Sequence, residues 1–155
     1  MKQIIDGVLA AFKDTNERLQ PVYDSKYITP QAKGSMRGNM MQALLPHHLD
    51  GKETELADME ILGEPTELKV AKATSYPAAN NNIFDSPEKP TRILIIRWDM
   101  IDDSPTVTEI RYGNHPKDFN DVWINHRGES PKMRDFKMKQ EFYDGLEKIY
   151  TIHSK

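Results

Sequence analysis

Residues 91–98, with the sequence TRILIIRW, form the most apolar strand-like run in the chain. A nearly continuous apolar run of this length is typical of a strand that lies inside a sheet and is buried on both faces. Residues 106–112, TVTEIRY, alternate between apolar and polar and are predicted to form the next strand. Because residues 99–105 have the composition of a turn, we predict that these two strands form an antiparallel pair.

Two amphipathic helices are predicted ahead of the strands. Apolar residues recur at helical spacing over residues 2–20, and Pro21 is expected to end that helix. A loop is predicted at residues 23–33, followed by a methionine-rich helix at residues 34–45 that ends at Pro46. Its methionines suit an adaptable core or a dimer interface better than a ligand site. Together with the strands, this order indicates an α/β fold.

Two shorter strands are predicted before the central one. They span residues 58–62 and 67–74, with a turn at residues 63–65 between them. After the central pair, residues 114–122 are predicted to open a short helix with Pro116 in its first turn, where proline is tolerated.

Four charged residues lie on or just before the two shorter strands in the order E-x-x-D-x8-E-x-K, namely Glu55, Asp58, Glu67 and Lys69. A hard divalent cation prefers carboxylate oxygens, and Asp58 and Glu67 could offer two of them to one ion. Strand alternation puts Glu67 and Lys69 on one face and Leu68 in the core. This layout is typical of a magnesium-dependent phosphodiesterase, in which a lysine orients or deprotonates a metal-bound water or stabilises charge on the phosphate.

The charge distribution fits such a site. Residues 50–67 hold seven acidic residues and one basic residue, a crowding that favours either solvated side chains or a bound cation. Because this cluster carries −6 and the whole chain −3, the remainder carries +3, and residues 127–139 hold five basic residues against two acidic ones. An acidic metal pocket beside basic flanks suits a nuclease, whereas a solvated charged surface is the alternative for any single lysine.

Composition narrows the choice of metal and compartment. The chain of 155 residues with 37% hydrophobic content is predicted to form one domain. It has no cysteine, which excludes disulfides and thiolate zinc sites and leaves oxygen-ligated magnesium or manganese. A reducing cytoplasmic location is expected, and since no apolar stretch approaches the length of a membrane span, no membrane contact is predicted.

The predicted order of helix, helix, carboxylate strand, ELK strand, central strand and strand is that of the PD-(D/E)XK nuclease core. The chain resembles the PvuII-type restriction endonucleases, which are small homodimers of similar length. The resemblance rests on short strings in a shared order and spacing: residues 39–45 (NMMQALL), Glu55 and Asp58, residues 67–69 (ELK), residues 109–112 (EIRY), residues 116–119 (PKDF) and Trp123, with weaker matches at residues 130–133 (SPKM) and 148–150 (KIY).

The resemblance implies a type II site-specific deoxyribonuclease with a mixed central sheet flanked by helices. A single nuclease domain is implied, in which residues 1–45 form a helical dimerisation region and residues 50–155 form the catalytic and DNA-recognition part. A homodimer would cut both strands of duplex DNA at a palindromic sequence, leaving 5′-phosphate and 3′-hydroxyl ends. The family also implies a cognate DNA methyltransferase.

Site roles follow from the same resemblance. Asp58 and Glu67, with the carbonyl of Leu68, would ligate Mg²⁺, for which Mn²⁺ is a substitute. Lys69 would act on the attacking water. Glu55 would support the site or a second ion.

Contacts to DNA are predicted at two places. PvuII-type enzymes carry a histidine-rich run in the loop after the ELK strand, whereas this chain has Asn80, Asn81 and Asn82, so the recognition sequence of that family is not carried over. Asparagine can pair with the major-groove edge of adenine, although it is also common in turns for backbone reasons. Three residues near the start of the second helix are candidates for minor-groove or phosphate contact by position: Lys33, Ser35 and Arg37.

Three alternative functions stay open. In a non-catalytic DNA-binding dimer, the acidic cluster would be solvated and the basic C-terminal third would contact phosphates. In a structural or interaction protein, the methionine-rich helix would be an assembly surface. A nicking or structure-selective nuclease would use the same core.

Overall fold

The computed structural model describes residues 1–49, 59–74, 77–79, 90–125 and 136–152. The helices in these parts are α1 (Lys2–Asp24), α2 (Pro30–Leu49) and α3 (Gln140–Gly145), with one 3-10 turn at Phe119–Asp121. The strands are β1 (Met59–Ile61), β2 (Glu64–Lys72), β3 (Ala78–Ala79), β4 (Arg92–Ile101), β5 (Ser104–Asn114), β6 (Trp123–Asn125), β7 (Phe136–Met138) and β8 (Glu147–Thr151).

A five-stranded sheet in the order β1-β2-β4-β5-β8 forms the centre of the fold. Strands β2 and β4 pair in parallel, while β1–β2, β4–β5 and β5–β8 are antiparallel. The predictions of a mixed α/β sheet, of a central strand from the TRILIIRW run and of an antiparallel partner after it are therefore confirmed. A second, three-stranded sheet has the order β3-β7-β6.

Strand β4 is buried on both faces, as its apolar run requires. Leu94 and Ile96 join one core cluster with residues of α1 and α2, while Ile93 and Ile95 join another with residues of β6, β7 and α3. All four side chains are fully buried. We call the side of the sheet covered by α1 and α2 the helix face, and the other side the second face.

Both long helices extend past the prolines that were expected to end them. Helix α1 contains Pro21 and continues to Asp24, and α2 contains Pro46 and continues to Leu49. The predicted ends were wrong because each proline lies in the last turn, where its cost is confined to a single turn of backbone hydrogen bonds. Core packing offsets that cost in α2, since Leu45 and Leu49 are buried. In the described parts of the chain, no helix is both long and apolar enough to cross a membrane.

The prediction of a helix over residues 114–122 was also wrong, because only the 3-10 turn at Phe119–Asp121 forms there. The Asp118 carboxylate accepts a hydrogen bond from the backbone N–H of Asn120 at 2.9 Å, which is a local alternative to helical hydrogen bonding. His115 and Val122, at either side of this turn, are buried. The segment is therefore held against the sheet at both ends, and no helix propagates.

The turn between β1 and β2 is tighter than the predicted one. It consists of Leu62 and Gly63, both with positive φ angles of 52° and 81°, so Glu64 and Pro65 belong to β2. Two successive residues of positive φ are typical of the turn that joins twisted antiparallel strands in the shortest hairpins. The short connection fixes the register of β1 against β2, pairing Met59 with Thr66.

Candidate active site on the second face of the sheet

Strand β2 places Glu67 and Lys69 side by side on the second face of the sheet. Leu68, between them, points the other way into the core cluster of the helix face. The Lys69 Nζ atom lies 3.1 Å from Oε1 of Glu67, and the two side chains are 19% and 12% exposed. The alternation predicted from the sequence is therefore confirmed, and it produces a partly buried ion pair.

The pairing of β2 with β4 explains why this ion pair is partly desolvated. Glu67 and Lys69 lie beside Ile93 and Ile95 of β4, which are fully buried on the same face. Apolar neighbours limit access of water, so the lysine and carboxylate interact more strongly than an exposed pair would. An ammonium and a carboxylate held together in this way can present both a proton donor and oxygen ligands to a bound group.

His115 is a member of this site that sequence reasoning missed. Its backbone N–H donates to Thr91 O at 3.0 Å, and the N–H of Thr91 donates to Pro65 O at 3.0 Å, which brings His115 to the end of the sheet where β2 begins. The side chain is 5% exposed and interacts electrostatically with both Glu67 and Lys69. Local periodicity could not predict this placement, because His115 follows β5, and β4 lies between β5 and β2.

The protonation of His115 follows from its surroundings. Burial lowers the pKa of the imidazole, against the opposing effects of the Pro116 carbonyl and the Glu67 carboxylate. Nδ1 lies 2.8 Å from Pro116 O, and since a carbonyl oxygen only accepts, Nδ1 is the protonated nitrogen. The Nε2 lone pair of the neutral ring is then an acceptor within this site.

Trp123, at the start of β6, forms a wall of the same site. Its ring centre lies 5.5 Å from Nζ of Lys69, and the residue is 2% exposed. In the sequence, Trp123 stands out only as part of the family resemblance. Trp123 contacts β2 because the three-stranded sheet packs on the second face of the five-stranded one. No local sequence pattern predicts that packing.

Of the predicted metal ligands, some lie in described parts of the chain and some do not. Asp58 and Glu55 lie outside the described residues. Glu67 and the Leu68 carbonyl are oxygen donors, which fits a hard cation such as Mg²⁺. Within the described residues, no group of three or more histidine, aspartate or glutamate side chains is arranged to hold a metal ion.

The predicted DNA contacts have varied surroundings. Asn80, Asn81 and Asn82 lie outside the described residues, and Ser35 lies in α2 with a side chain that is not described. The half-buried Lys33 donates from Nζ to Tyr23 O at 2.8 Å, and the Tyr23 hydroxyl donates to Lys33 O at 3.0 Å. These reciprocal bonds tie the end of α1 to the start of α2.

Arg37 is buried, at 3% exposure, between the helices and the sheet. Its guanidinium lies 5.2, 5.0 and 4.4 Å from the ring centres of Phe12, Tyr23 and Trp98. It also donates to the side-chain oxygen of Asn16. Contact with DNA was predicted from position in the sequence alone, whereas this environment gives Arg37 a packing role within the helix face.

A second polar network on the second face centres on Glu109 of β5. The hydroxyl of Tyr143 donates to this carboxylate, Arg111 Nη2 lies 3.1 Å away and Lys148 Nζ lies 3.4 Å away. Arg111 also donates from Nη1 to three backbone carbonyl oxygens at the end of α3: those of Tyr143, Asp144 and Leu146. The network thereby anchors α3 to the sheet.

We expect the Glu109 network to make stability depend on acid pH. Burial disfavours the charged carboxylate, but the hydrogen bonds from Tyr143 and Arg111 outweigh it and lower the pKa of Glu109. A carboxyl group with a lowered pKa in the folded state stabilises the fold above its ordinary pKa, and this contribution is lost as pH falls through the lowered value. Urea unfolding at neutral and acid pH should show Glu109→Gln less stable than wild type at neutrality and the gap closing in acid. An equal gap at both pH values would contradict this.

No protein-family model matches the chain, and no curated protein matches it.

Proposed function

We propose that the protein is a metal-dependent endonuclease of the type II restriction class, which cuts both strands of duplex DNA as a homodimer. The observation that supports this best is the partly buried pair of Glu67 and Lys69, with Nζ 3.1 Å from Oε1. Metal-dependent phosphodiester hydrolysis needs an oxygen ligand for a divalent cation, and a cationic group beside that ligand can act on water or phosphate. This pair offers both groups on one strand.

Asp58 is proposed as the second carboxylate of the site from the sequence spacing D-x8-E, which links it to Glu67. Asp58 itself lies outside the described residues.

Mg²⁺, or Mn²⁺ in its place, would be held by Asp58, Glu67 and the carbonyl of Leu68, with Glu55 as a supporting carboxylate. When bound, the ion would supply a water of lowered pKa and neutralise charge on the phosphate. Lys69 keeps a proton donor at this place, where it can orient the attacking water or bind a phosphate oxygen.

DNA contacts are proposed for Asn80, Asn81 and Asn82, which follow β3 in the sequence, and for Lys33 and Ser35, which lie in the first two turns of α2. Arg37 is not retained among them because it is buried. A cytoplasmic location and a cognate methyltransferase that protects the host DNA belong to the same proposal.

Digestion of a large unmethylated DNA, in Mg²⁺ and in EDTA, tests the proposal. We expect discrete fragments in Mg²⁺ and intact DNA in EDTA. A DNA ligase should rejoin the fragments, because their ends would carry a 5′-phosphate and a 3′-hydroxyl. Nicked circles that never become linear would instead indicate a nicking enzyme. Binding of duplex without cleavage in any divalent metal would indicate a non-catalytic DNA-binding dimer. Absence of both would overturn the nuclease proposal and favour an assembly role.

A further inference from the structure

Each of the two tryptophans in the chain has a lysine of β2 over its ring. Lys69 Nζ lies 5.5 Å from the ring centre of Trp123, and Lys72 Nζ lies 5.8 Å from that of Trp98. Trp98 packs against the core cluster of the helix face, whereas Trp123 belongs to the cluster of the second face. Only the Lys69 and Trp123 pair therefore adjoins Glu67.

The Trp123 ring is fixed by its surroundings. Trp123 pairs with Met138 of β7 and packs in a cluster that includes Ile93 and Ile95 of β4. A lysine side chain has four rotatable carbon–carbon bonds and loses considerable entropy when it is held in one place. Two contacts limit Lys69: the carboxylate of Glu67 and the face of the Trp123 ring. A partly desolvated ammonium is attracted to the electron-rich face of an indole.

We propose that Trp123 is a positioning residue, whose ring holds the ammonium of Lys69 beside Glu67. The catalytic consequence rests on the proposed nuclease function, whereas the contact itself is a property of the folded chain. Trp123 acts through Lys69 and limits the range of positions that the ammonium samples.

Indole N–H resonances in a ¹H–¹⁵N NMR spectrum test the contact without any assay of activity. Trp123→Phe and Trp98→Phe assign the two resonances. Nε1 of Trp123 is buried and has no hydrogen-bond partner among the described residues, so its shift reports on charge near the ring. We expect Lys69→Met to move the Trp123 resonance and Lys72→Met, the matched control, to move that of Trp98. An unmoved Trp123 resonance in Lys69→Met would overturn the proposal.

Cleavage kinetics test the consequence. We expect Trp123→Leu to lower kcat by about tenfold with little change in KM, which is the scale of one lost cation–π contact. Trp123→Phe keeps an aromatic face and should recover most of that loss. If Trp123→Leu does not fold, Trp123→Phe and the Lys69→Met resonance shift decide the question. Unchanged kcat in folded Trp123→Leu would overturn the positioning role. If wild type cuts no DNA at all, the nuclease proposal fails while the resonance shift still reports the contact.

Discussion

Replacing Lys69 with methionine is expected to slow Mg²⁺-dependent DNA cleavage by about 10²–10⁴-fold, the range for loss of a group that moves a proton or stabilises developing charge. Methionine keeps the apolar stem that packs beside Ile95 and Trp123, so the fold should persist. Initial rates of conversion of supercoiled to linear plasmid, under single-turnover conditions, measure the effect.

The matched control for this change is Lys72→Met. Lys72 lies on the same strand, but it is exposed and contacts Trp98 of the helix face. We expect the Lys72→Met variant to cut DNA at the wild-type rate. Comparable rates for Lys69→Met and wild type would show that the lysine of the ELK string has no part in the reaction. Lys69→Arg is informative as well, because it retains the charge while changing its shape and should restore only part of the activity.

Arg37→Ala is expected to destabilise the protein by about 3 kcal/mol, the range for emptying a well-packed core position. The change removes a side chain that fills the space among the rings of Phe12, Tyr23 and Trp98. Burial disfavours the charged guanidinium and lowers the pKa of Arg37. The charge is therefore costly to bury, and the volume and ring contacts account for the stabilisation.

Arg37→Met separates volume from charge. A buried charge can often be replaced by an apolar side chain of similar volume at little cost, so this variant should lie within about 1 kcal/mol of wild type. Urea unfolding followed by circular dichroism provides both values. If Arg37→Met proves as unstable as Arg37→Ala, the charge of the guanidinium is the stabilising feature and the packing explanation is wrong.

The central part of the fold could be predicted from the sequence because its signals are local. Strand β4 follows from an uninterrupted apolar run, and the shared face of Glu67 and Lys69 follows from the alternation of a strand. Helix ends were predicted less well, since Pro21 and Pro46 lie where a proline costs little and packing decides. A strong local breaker thus gave way to tertiary contacts.

Other features depend on residues that are distant in sequence. Arginine is usually found at the surface, but aromatic rings of α1 and β4 enclose Arg37. His115 reaches the candidate site because it follows β5, which lies beyond β4 from β2 in the same sheet. Trp123 reaches it because β6 packs against the second face of that sheet. No periodicity near His115 or Trp123 indicates that either would face β2.

The parallel pairing of β2 with β4 has a consequence for the order in which the chain folds. Strands β4 and β5 are joined by a two-residue turn, Asp102–Asp103, and α1 and α2 by a short loop, so both pairs can form from neighbouring segments. A parallel pair needs a longer crossover, and its closure costs more chain entropy before any contact compensates. We therefore expect β2 to dock late. Glu67 and Lys69 would then meet Trp123 and His115 only near the end of folding, so the candidate site would be among the last parts of the protein to assemble.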